Sequence, residues 1–211
     1  ADAVIDALLE TVGKEGNVVV PTHSANLSKD QRTPEEIAMG VSWLFKIMPY
    51  DPEKTPVTTG IIPETFRKRK GVIRGSHPSH SVAASGPKAK ELSEGWHRLL
   101  EMDGYILLIG VDLDRCTAMH LAEKRVQFPE HILKKITPPK WFVEKYPEGE
   151  WEWDFGPYPD FAKLTEPCVK RGIMKSVKVG EATLRLLRLR KLIDLYAEYL
   201  KKDPDLFYSK S

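Results

Sequence analysis

The stretch that decides the fold is YILLIGVDLDRCTAMHLAEKR, residues Tyr105–Arg125. Its first seven residues form an apolar run of strand length, which predicts a buried β-strand. The residues that follow predict a helix from Arg115 to Arg125. Because α/β proteins are built from strands and helices that alternate along the chain, this stretch indicates the α/β class.

The sequence before this stretch also alternates between the two patterns. ADAVIDALLETV predicts an amphipathic helix that Gly13 ends, and NVVVP, residues 17–21, predicts a short strand. A second helix is expected from Pro34 to Met48, since proline suits a first helical turn and the two glutamates after it suit the helix dipole. Thr59 is expected to cap a further helix that runs to Lys70.

The second half of the chain predicts a smaller, antiparallel sheet. HILKKI, KWFVEKY and EWEWDF are short segments rich in aromatic and β-branched residues, with proline and glycine between them, and SVKVG resembles them. A last long helix is expected from Glu181 to Lys201. We therefore expect residues 1–211 to form one domain, in which helices flank a central mixed sheet and the antiparallel sheet lies in the second half.

Composition excludes several classes of protein. The 211 residues are 41% hydrophobic, enough for one globular domain with a sizeable core. With 32 basic and 30 acidic residues, no bulk charge favours nucleic acid, and no apolar run reaches the length that a membrane requires. Two cysteines far apart, Cys116 and Cys168, are neither a disulfide framework nor a zinc signature, so a cytoplasmic location is expected. The oligomeric state stays open.

The helix predicted after YILLIGV carries a group of reactive side chains. Cys116, His120 and Glu123 follow each other at i, i+4 and i+7, so they share one helix face. A carboxylate beside a histidine can orient the ring and raise its basicity, which is typical of a general base. Spacing alone equally fits a solvated face with an incidental pair. A nucleophilic role for Cys116 requires an exposed, acidified thiol, and a buried packing cysteine is the commoner case.

A second polar stretch is RGSHPSHSVAASG, residues 74–86. A metal site from His77, His80 and His120 is geometrically conceivable, but H-x-x-H in a loop is a weak pattern, so we predict no metal. The basic run RKRK, residues 67–70, is typical of a solvated helix end. Beside a loop rich in serine and glycine, such a run can also hold phosphates.

Three segments together resemble the aminoglycoside 3-N-acetyltransferase family. They are VVVPTHS, YDPEKTPVTTGIIPETFRKRKGVIRGSHPSHSVAASGPKA and YILLIGVDLDRCTAMHLAE, and the C-terminal VGEATLRLL…LIDLYAEYL also fits. The shared features include Asp-Pro, Thr-Pro, an arginine before His-Pro and a serine, and Thr-Ala-x-His-x-x-Glu. The family's N-terminal segment and a stretch near residues 94–95 have no counterpart here.

The resemblance implies an antibiotic N-acetyltransferase-like fold and an enzyme that confers antibiotic resistance. Such an enzyme transfers an acetyl group from acetyl-coenzyme A, its co-substrate, directly to the 3-amino group of an aminoglycoside. Two alternatives stay open: an acetyltransferase for another small amine, and a catalytically inactive binding member of the family.

The resemblance also assigns roles to particular residues. His120 becomes the general base and Glu123 its support, which leaves Cys116 a packing residue, and His77 and His80 become structural hydrogen-bonding groups. The expected contacts with coenzyme A are Thr22, Arg74, Ser76, Ser81 and Thr117. Because an aminoglycoside is a polycation, carboxylates are expected to bind it. The candidates are Asp51, Glu64, Glu123 and Asp154, with Glu152 and Asp160 as further possibilities.

Overall fold

Residues 1–27 and 29–208 are described by a computed structural model of the chain. The helices are α1 (Asp2–Val12), α2 (Pro34–Ala38), α3 (Ile61–Phe66), α4 (Ala89–Leu92), α5 (Trp96–Glu101), α6 (His120–Glu123), α7 (Glu130–Ile136), α8 (Lys140–Lys145), α9 (Thr165–Lys170), α10 (Leu189–Lys202) and α11 (Asp205–Tyr208). The strands are β1 (Val18–Pro21), β2 (Val41–Lys46), β3 (Ile73–Arg74), β4 (Val82–Ser85), β5 (Tyr105–Ile109), β6 (Trp151–Phe155), β7 (Met174–Val179) and β8 (Ala182–Arg188). Four short 3-10 turns are Ala25–Leu27, Leu113–Arg115, Thr117–Met119 and Phe161–Leu164.

The strands form three small sheets in the part of the chain that the structure describes. One has the order β1-β4-β3, a second pairs β2 with β6, and the third has the order β5-β8-β7. The pairings within the first and third sheets are antiparallel. The α/β class and a small antiparallel sheet in the second half are confirmed. The strands are shared among these sheets rather than gathered into one central mixed sheet.

Contacts divide the chain into two compact units. The first contains Ala1–Ile37, Trp43–Arg98 and Lys140–Asp154. The second contains Ala38–Ser42, Leu99–Pro139 and the chain from Phe155 onward. The expectation of one domain stays a prediction, and each unit is described by itself.

Apolar residues of two helices and one sheet form a core in the first unit. Ile5 of α1, Phe66 of α3, Val20 of β1 and Ala83 of β4 are buried against each other. Gly13 follows α1 with a φ of 68°, a conformation that glycine adopts at little cost, so the predicted end of this helix is confirmed. Thr59 does not cap α3, since Gly60 holds that position and the Thr59 hydroxyl donates to the Pro21 carbonyl at 2.9 Å.

The second unit is built around the β5-β8-β7 sheet and α10. Most buried side chains of α10 repeat every three or four residues, as an amphipathic helix requires: Leu189, Leu192, Ile193, Tyr196, Ala197 and Leu200. Leu195 is buried as well. On β5, Ile106 and Leu108 are buried, whereas Tyr105 is 58% exposed. The strand predicted as wholly buried is therefore buried on one face.

Four predicted helices are shorter than expected or divided. The helix predicted to run to Lys70 is α3, which ends at Phe66. The helix predicted from Pro34 ends at Ala38, where Gly40 with a φ of 101° leads into β2. The stretch expected as a helix from Arg115 to Arg125 is a succession of 3-10 turns that ends in α6. The helix predicted from Glu181 begins only at Leu189. The segment before it forms β8, because hydrogen bonds to β5 on one side and β7 on the other outweigh its helical pattern.

Two segments predicted as strands are helices. HILKKI lies in α7 and KWFVEKY in α8, each with one apolar residue, Ile132 and Phe142, fully buried. Pro129 precedes α7 and Thr137 follows it, so the ends of this segment can be read from the sequence. Its apolar pattern is too short to distinguish a helical period from that of a strand. EWEWDF and SVKVG are confirmed as parts of β6 and β7. No helix of the described residues is both long and apolar enough to cross a lipid bilayer.

Candidate active site

His120 and Glu123 form a close pair within the second unit. The chain passes through the turn Thr117–Met119 into α6, which begins with His120 and ends with Glu123. Nδ1 of His120 lies 3.1 Å from both Oε1 and Oε2 of Glu123. Since a carboxylate only accepts hydrogen bonds, Nδ1 carries the proton and Nε2 of the neutral ring carries the lone pair. This is the tautomer of a proton acceptor at Nε2.

Aromatic residues surround this pair. The Tyr158 hydroxyl lies 2.7 Å from Nε2 of His120, and the ring of Phe161 meets the imidazole edge-on at 5.0 Å. The Tyr196 hydroxyl makes a long hydrogen bond of 3.5 Å to Oε1 of Glu123. Burial raises the pKa of Tyr196, so this hydroxyl remains a donor. The His120 side chain is still 33% exposed, so the imidazole is accessible from solvent.

The prediction that Cys116 shares a helix face with His120 and Glu123 is wrong, because Cys116 has a non-helical φ of −93° and ψ of 80° before the turn Thr117–Met119, outside α6. Cys116 is only 4% exposed, and burial raises the pKa of its thiol to about 12. A thiol in this state is almost entirely protonated near neutral pH and is a poor nucleophile. The structure therefore favours a packing role for Cys116 over a nucleophilic one.

Replacing Cys116 with alanine is expected to leave turnover within about twofold of the wild type. The change removes one buried sulfur atom, so we expect a loss of about 1–2 kcal/mol in the free energy of unfolding. Steady-state rates and urea unfolding of the same sample measure both effects. A loss of turnover above tenfold in a folded variant would support a nucleophilic role for Cys116.

Three of the residues expected to contact coenzyme A lie together in the first unit. Nε of Arg74 donates to Ser81 Oγ at 3.0 Å, and one terminal nitrogen donates to the Thr22 carbonyl at 2.6 Å and to Ser24 Oγ at 2.7 Å. The other terminal nitrogen donates to the Thr55 carbonyl at 2.6 Å. Arg74 is thus buried and holds neighbouring segments together. Its direct contact with coenzyme A stays a prediction, as do those of Thr22 and Ser81.

The other two predicted coenzyme A residues are more accessible. Ser76 is exposed on the loop between β3 and β4, and Thr117 is partly buried in the turn before His120. The basic run near this loop is engaged in ion pairs: Arg67 and Lys68 with Glu64, and Arg69 with Asp2 and Asp6. The side chain of Lys68 is 61% exposed, which fits a solvated helix end, whereas that of Arg67 is only 5% exposed and is held by Glu64.

Glu152, named above as a possible substrate carboxylate, instead lies beside the histidines of the first unit, at 3.2 Å from Nδ1 of His80. His77, His80 and Glu152 offer atoms within 4.8 Å of one another that could hold a metal ion. However, Nδ1 of His77 accepts hydrogen bonds from the backbone nitrogens of His80 at 3.0 Å and Ser79 at 3.3 Å. A metal on that nitrogen would displace both. The arrangement supports a structural role for His77, and Glu152 enters from β6, far along the chain.

The carboxylates expected to bind substrate differ in their surroundings. Glu64 accepts hydrogen bonds from Arg67 at 2.7 Å, and its pKa falls to about 2 mainly through that contact. Oδ1 of Asp51 accepts hydrogen bonds from the backbone nitrogens of Glu53 and Lys54, which stabilises a turn. Asp154 is partly buried on β6, and Asp160 lies 3.8 Å from Lys163. The substrate-binding roles of these carboxylates stay predictions, and the carboxylate of Glu123 accepts the hydrogen bond from His120.

An accessible imidazole oriented by a carboxylate in an α/β fold is compatible with an enzyme that uses a histidine base. The comparison with known proteins gives the family. The family model described as aminoglycoside 3-N-acetyltransferase matches residues 1–201. The chain belongs to that family, and the family is one of acyltransferase enzymes, as the motifs predicted.

Individual relatives agree with this assignment. The SPbeta prophage-derived aminoglycoside N(3')-acetyltransferase-like protein YokD of Bacillus subtilis is 31% identical, over 92% of this chain and 77% of the relative. Aminoglycoside N(3)-acetyltransferase IV of a Salmonella species is 27% identical, over 97% of this chain and 75% of the relative.

Solved structures confirm the predicted fold. The crystal structure of YokD matches with a TM-score of 0.72 at 25% identity, covering 97% of this chain and 81% of the other. A histidine-to-alanine mutant of aminoglycoside acetyltransferase AAC(3)-IVa, in complex with gentamicin C1A, matches with a TM-score of 0.73 at 25% identity. That match covers 97% of this chain and 76% of the other.

Proposed function

We propose that this protein transfers an acetyl group from acetyl-coenzyme A to the 3-amino group of an aminoglycoside antibiotic and so confers resistance, with His120 as the general base. Family membership supports the reaction. The observation that carries the role of His120 is its geometry: Glu123 fixes the proton on Nδ1, and the side chain keeps 33% of its surface exposed. The cytoplasmic location stays a prediction.

Proton transfer is the part of the reaction that His120 supports. Aminoglycoside amines are largely protonated near neutral pH, and an ammonium group has no lone pair with which to attack. His120 removes that proton, and the negative charge of Glu123 stabilises the resulting imidazolium. The amine nitrogen then bonds to the thioester carbon, and the carbon–sulfur bond breaks. The departing coenzyme A thiolate takes up the second proton, which the nitrogen loses as it becomes an amide.

Direct transfer fits the environment of the cysteines. Cys168 is buried like Cys116, and burial raises the pKa of its thiol to about 11. Neither thiol is therefore suited to carry the acetyl group. Transfer from one substrate to the other within a ternary complex needs no enzyme nucleophile, and it gains from holding the two reactants together.

The coenzyme A contacts are proposed in two roles. Arg74, Thr22 and Ser81 hold the loop between β3 and β4 in shape through the hydrogen bonds described above. Ser76 offers an exposed hydroxyl on that loop, and Thr117 offers one in the turn before the base. Acetyl-coenzyme A is a co-substrate in this proposal, and no metal is required.

A second candidate, the acetylation of another small amine, is favoured by one observation. Glu64 was expected to attract a polycation, but Arg67 and Lys68 already neutralise it. Asp51 and Asp154 are the other candidates for recognition of the aminoglycoside, and a carboxylate oxygen of Asp51 also lies 3.4 Å from Nζ of Lys54. An amine with fewer positive charges would need fewer carboxylates, while the base and the co-substrate would be the same.

One assay tests the proposal and separates it from its alternatives. Thiol release from acetyl-coenzyme A is followed with a panel of aminoglycosides and with simple mono- and diamines, and the product is located by NMR. Acetylation at the 3-amino group is the expected result. Thiol release with the simple amines alone would favour the second candidate. Binding of acetyl-coenzyme A without any thiol release would indicate an inactive binding member.

The substitution Glu123→Gln is expected to lower kcat about 10- to 100-fold. The amide oxygen can still accept a hydrogen bond from Nδ1 of His120, but it lacks the negative charge that stabilises the imidazolium. Steady-state kinetics across pH measure the effect. Glu166→Gln is a matched control, because Glu166 pairs with Lys170 on an exposed face of α9 and should keep full activity. Equal rates in the two variants would remove Glu123 from the mechanism.

A further inference from the structure

The second partner of His120 is Tyr158. Its hydroxyl lies 2.7 Å from Nε2 of His120, and its ring meets the imidazole edge-on at 5.3 Å. Tyr158 stands in the segment between β6 and the turn Phe161–Leu164, directly between Pro157 and Pro159. The residue is 49% exposed, so part of it is accessible from solvent.

The direction of this hydrogen bond follows from the other side of the ring. Nδ1 of His120 donates to Glu123, so Nε2 has a lone pair and no proton. The Tyr158 hydroxyl is therefore the donor to Nε2. That lone pair is the one on which the general base depends, and the phenol already occupies it. The phenol oxygen has lone pairs of its own that can accept a proton.

The surroundings of Tyr158 favour a fixed phenol over one that moves aside. A proline on each side restricts the backbone. The ring packs edge-on against Phe161 at 5.8 Å, and Phe161 is itself only 1% exposed. Moving the phenol away would break these contacts together with the short hydrogen bond to His120.

We propose that Tyr158 is a catalytic residue that relays the proton of the substrate amine to His120, an inference that rests on the proposed function. The ammonium N–H bond breaks as its proton moves to the phenol oxygen. At the same time the phenol O–H bond breaks as its own proton moves to Nε2. The phenol is regenerated, the amine gains its lone pair, and His120 becomes an imidazolium facing Glu123. One proton enters the relay and one leaves it.

The substitution Tyr158→Phe tests the relay, because it removes the hydroxyl and keeps the ring packing. We expect kcat to fall about 10- to 100-fold, within the range of acid–base catalysis, with little change in either KM. Rates in mixtures of light and heavy water give a second readout. The wild type should show a curved dependence from two protons in flight, and the variant a linear one.

Tyr105→Phe is the matched control, since Tyr105 is another exposed tyrosine of the second unit, on β5. It should keep full activity and the curved dependence, and thermal melting shows that each variant is folded. A folded Tyr158→Phe enzyme as fast as the wild type would overturn the relay and leave the proposed function intact. A wild type that acetylates no amine would overturn both.

Discussion

Replacing His120 with alanine is expected to lower kcat about 100-fold or more, while the affinity for acetyl-coenzyme A stays unchanged. The substitution removes the proton acceptor and leaves the thioester chemistry to an amine that is mostly protonated. The rate of thiol release and the dissociation constant from calorimetry measure the two quantities separately. Added imidazole should restore part of the lost rate, because it can enter the space left by the side chain and accept the proton.

A matched control exists in the same unit. His131 lies 2.6 Å from Asp205, so it is also a histidine paired with a carboxylate, but its side chain is 55% exposed on α7. His131→Ala should keep full turnover. If His120→Ala retains turnover as well, the general-base proposal is wrong, and the pair with Glu123 is an incidental feature of a helix face.

Replacing Arg74 with alanine is expected to lower the free energy of unfolding by about 3–5 kcal/mol, the largest stability effect that we predict. The guanidinium is buried, and its donors satisfy the carbonyls of Thr22 and Thr55 and the hydroxyls of Ser24 and Ser81. Removing it takes a donor from each of these oxygens in a region with little access to water, although the Thr22 carbonyl keeps the Ser81 hydroxyl as a donor at 2.7 Å. Burial also lowers the pKa of Arg74, in keeping with an environment of neutral oxygens.

Urea unfolding measures this loss, and two further variants sharpen the result. Arg69→Ala breaks exposed ion pairs with Asp2 and Asp6 and should cost less than about 1 kcal/mol. Arg74→Lys should recover little of the loss, since an ammonium group cannot match the planar set of guanidinium donors. A folded Arg74→Ala protein of normal stability that no longer binds acetyl-coenzyme A would show a direct contact with the co-substrate instead.

The sequence predicted those features whose causes are local. The end of α1 at Gly13 follows from one residue, and the contact between His120 and Glu123 follows from their separation by three positions on a helix. In contrast, the sequence of Ala182–Arg188 fits both a helical and a strand period. This segment forms the strand β8 because it pairs with β5 on one side and β7 on the other.

The parts of the candidate site that could not be predicted depend on contacts between distant residues. Tyr158 is 38 residues from His120, and no spacing rule connects a tyrosine between two prolines with a histidine on an earlier helix. Glu152 likewise reaches His80 from β6. The burial of Arg74 was hidden for a related reason, because its partners come from separate segments of the first unit.

The burial of both cysteine thiols has a practical consequence for activity assays. Cys116 and Cys168 are the two cysteines of the chain, and both are buried. Chromogenic disulfide reagents, which report free coenzyme A by its colour reaction, will find little to modify on the native protein. Continuous monitoring can therefore proceed at high enzyme concentration with a low blank, and slow acceptors become measurable.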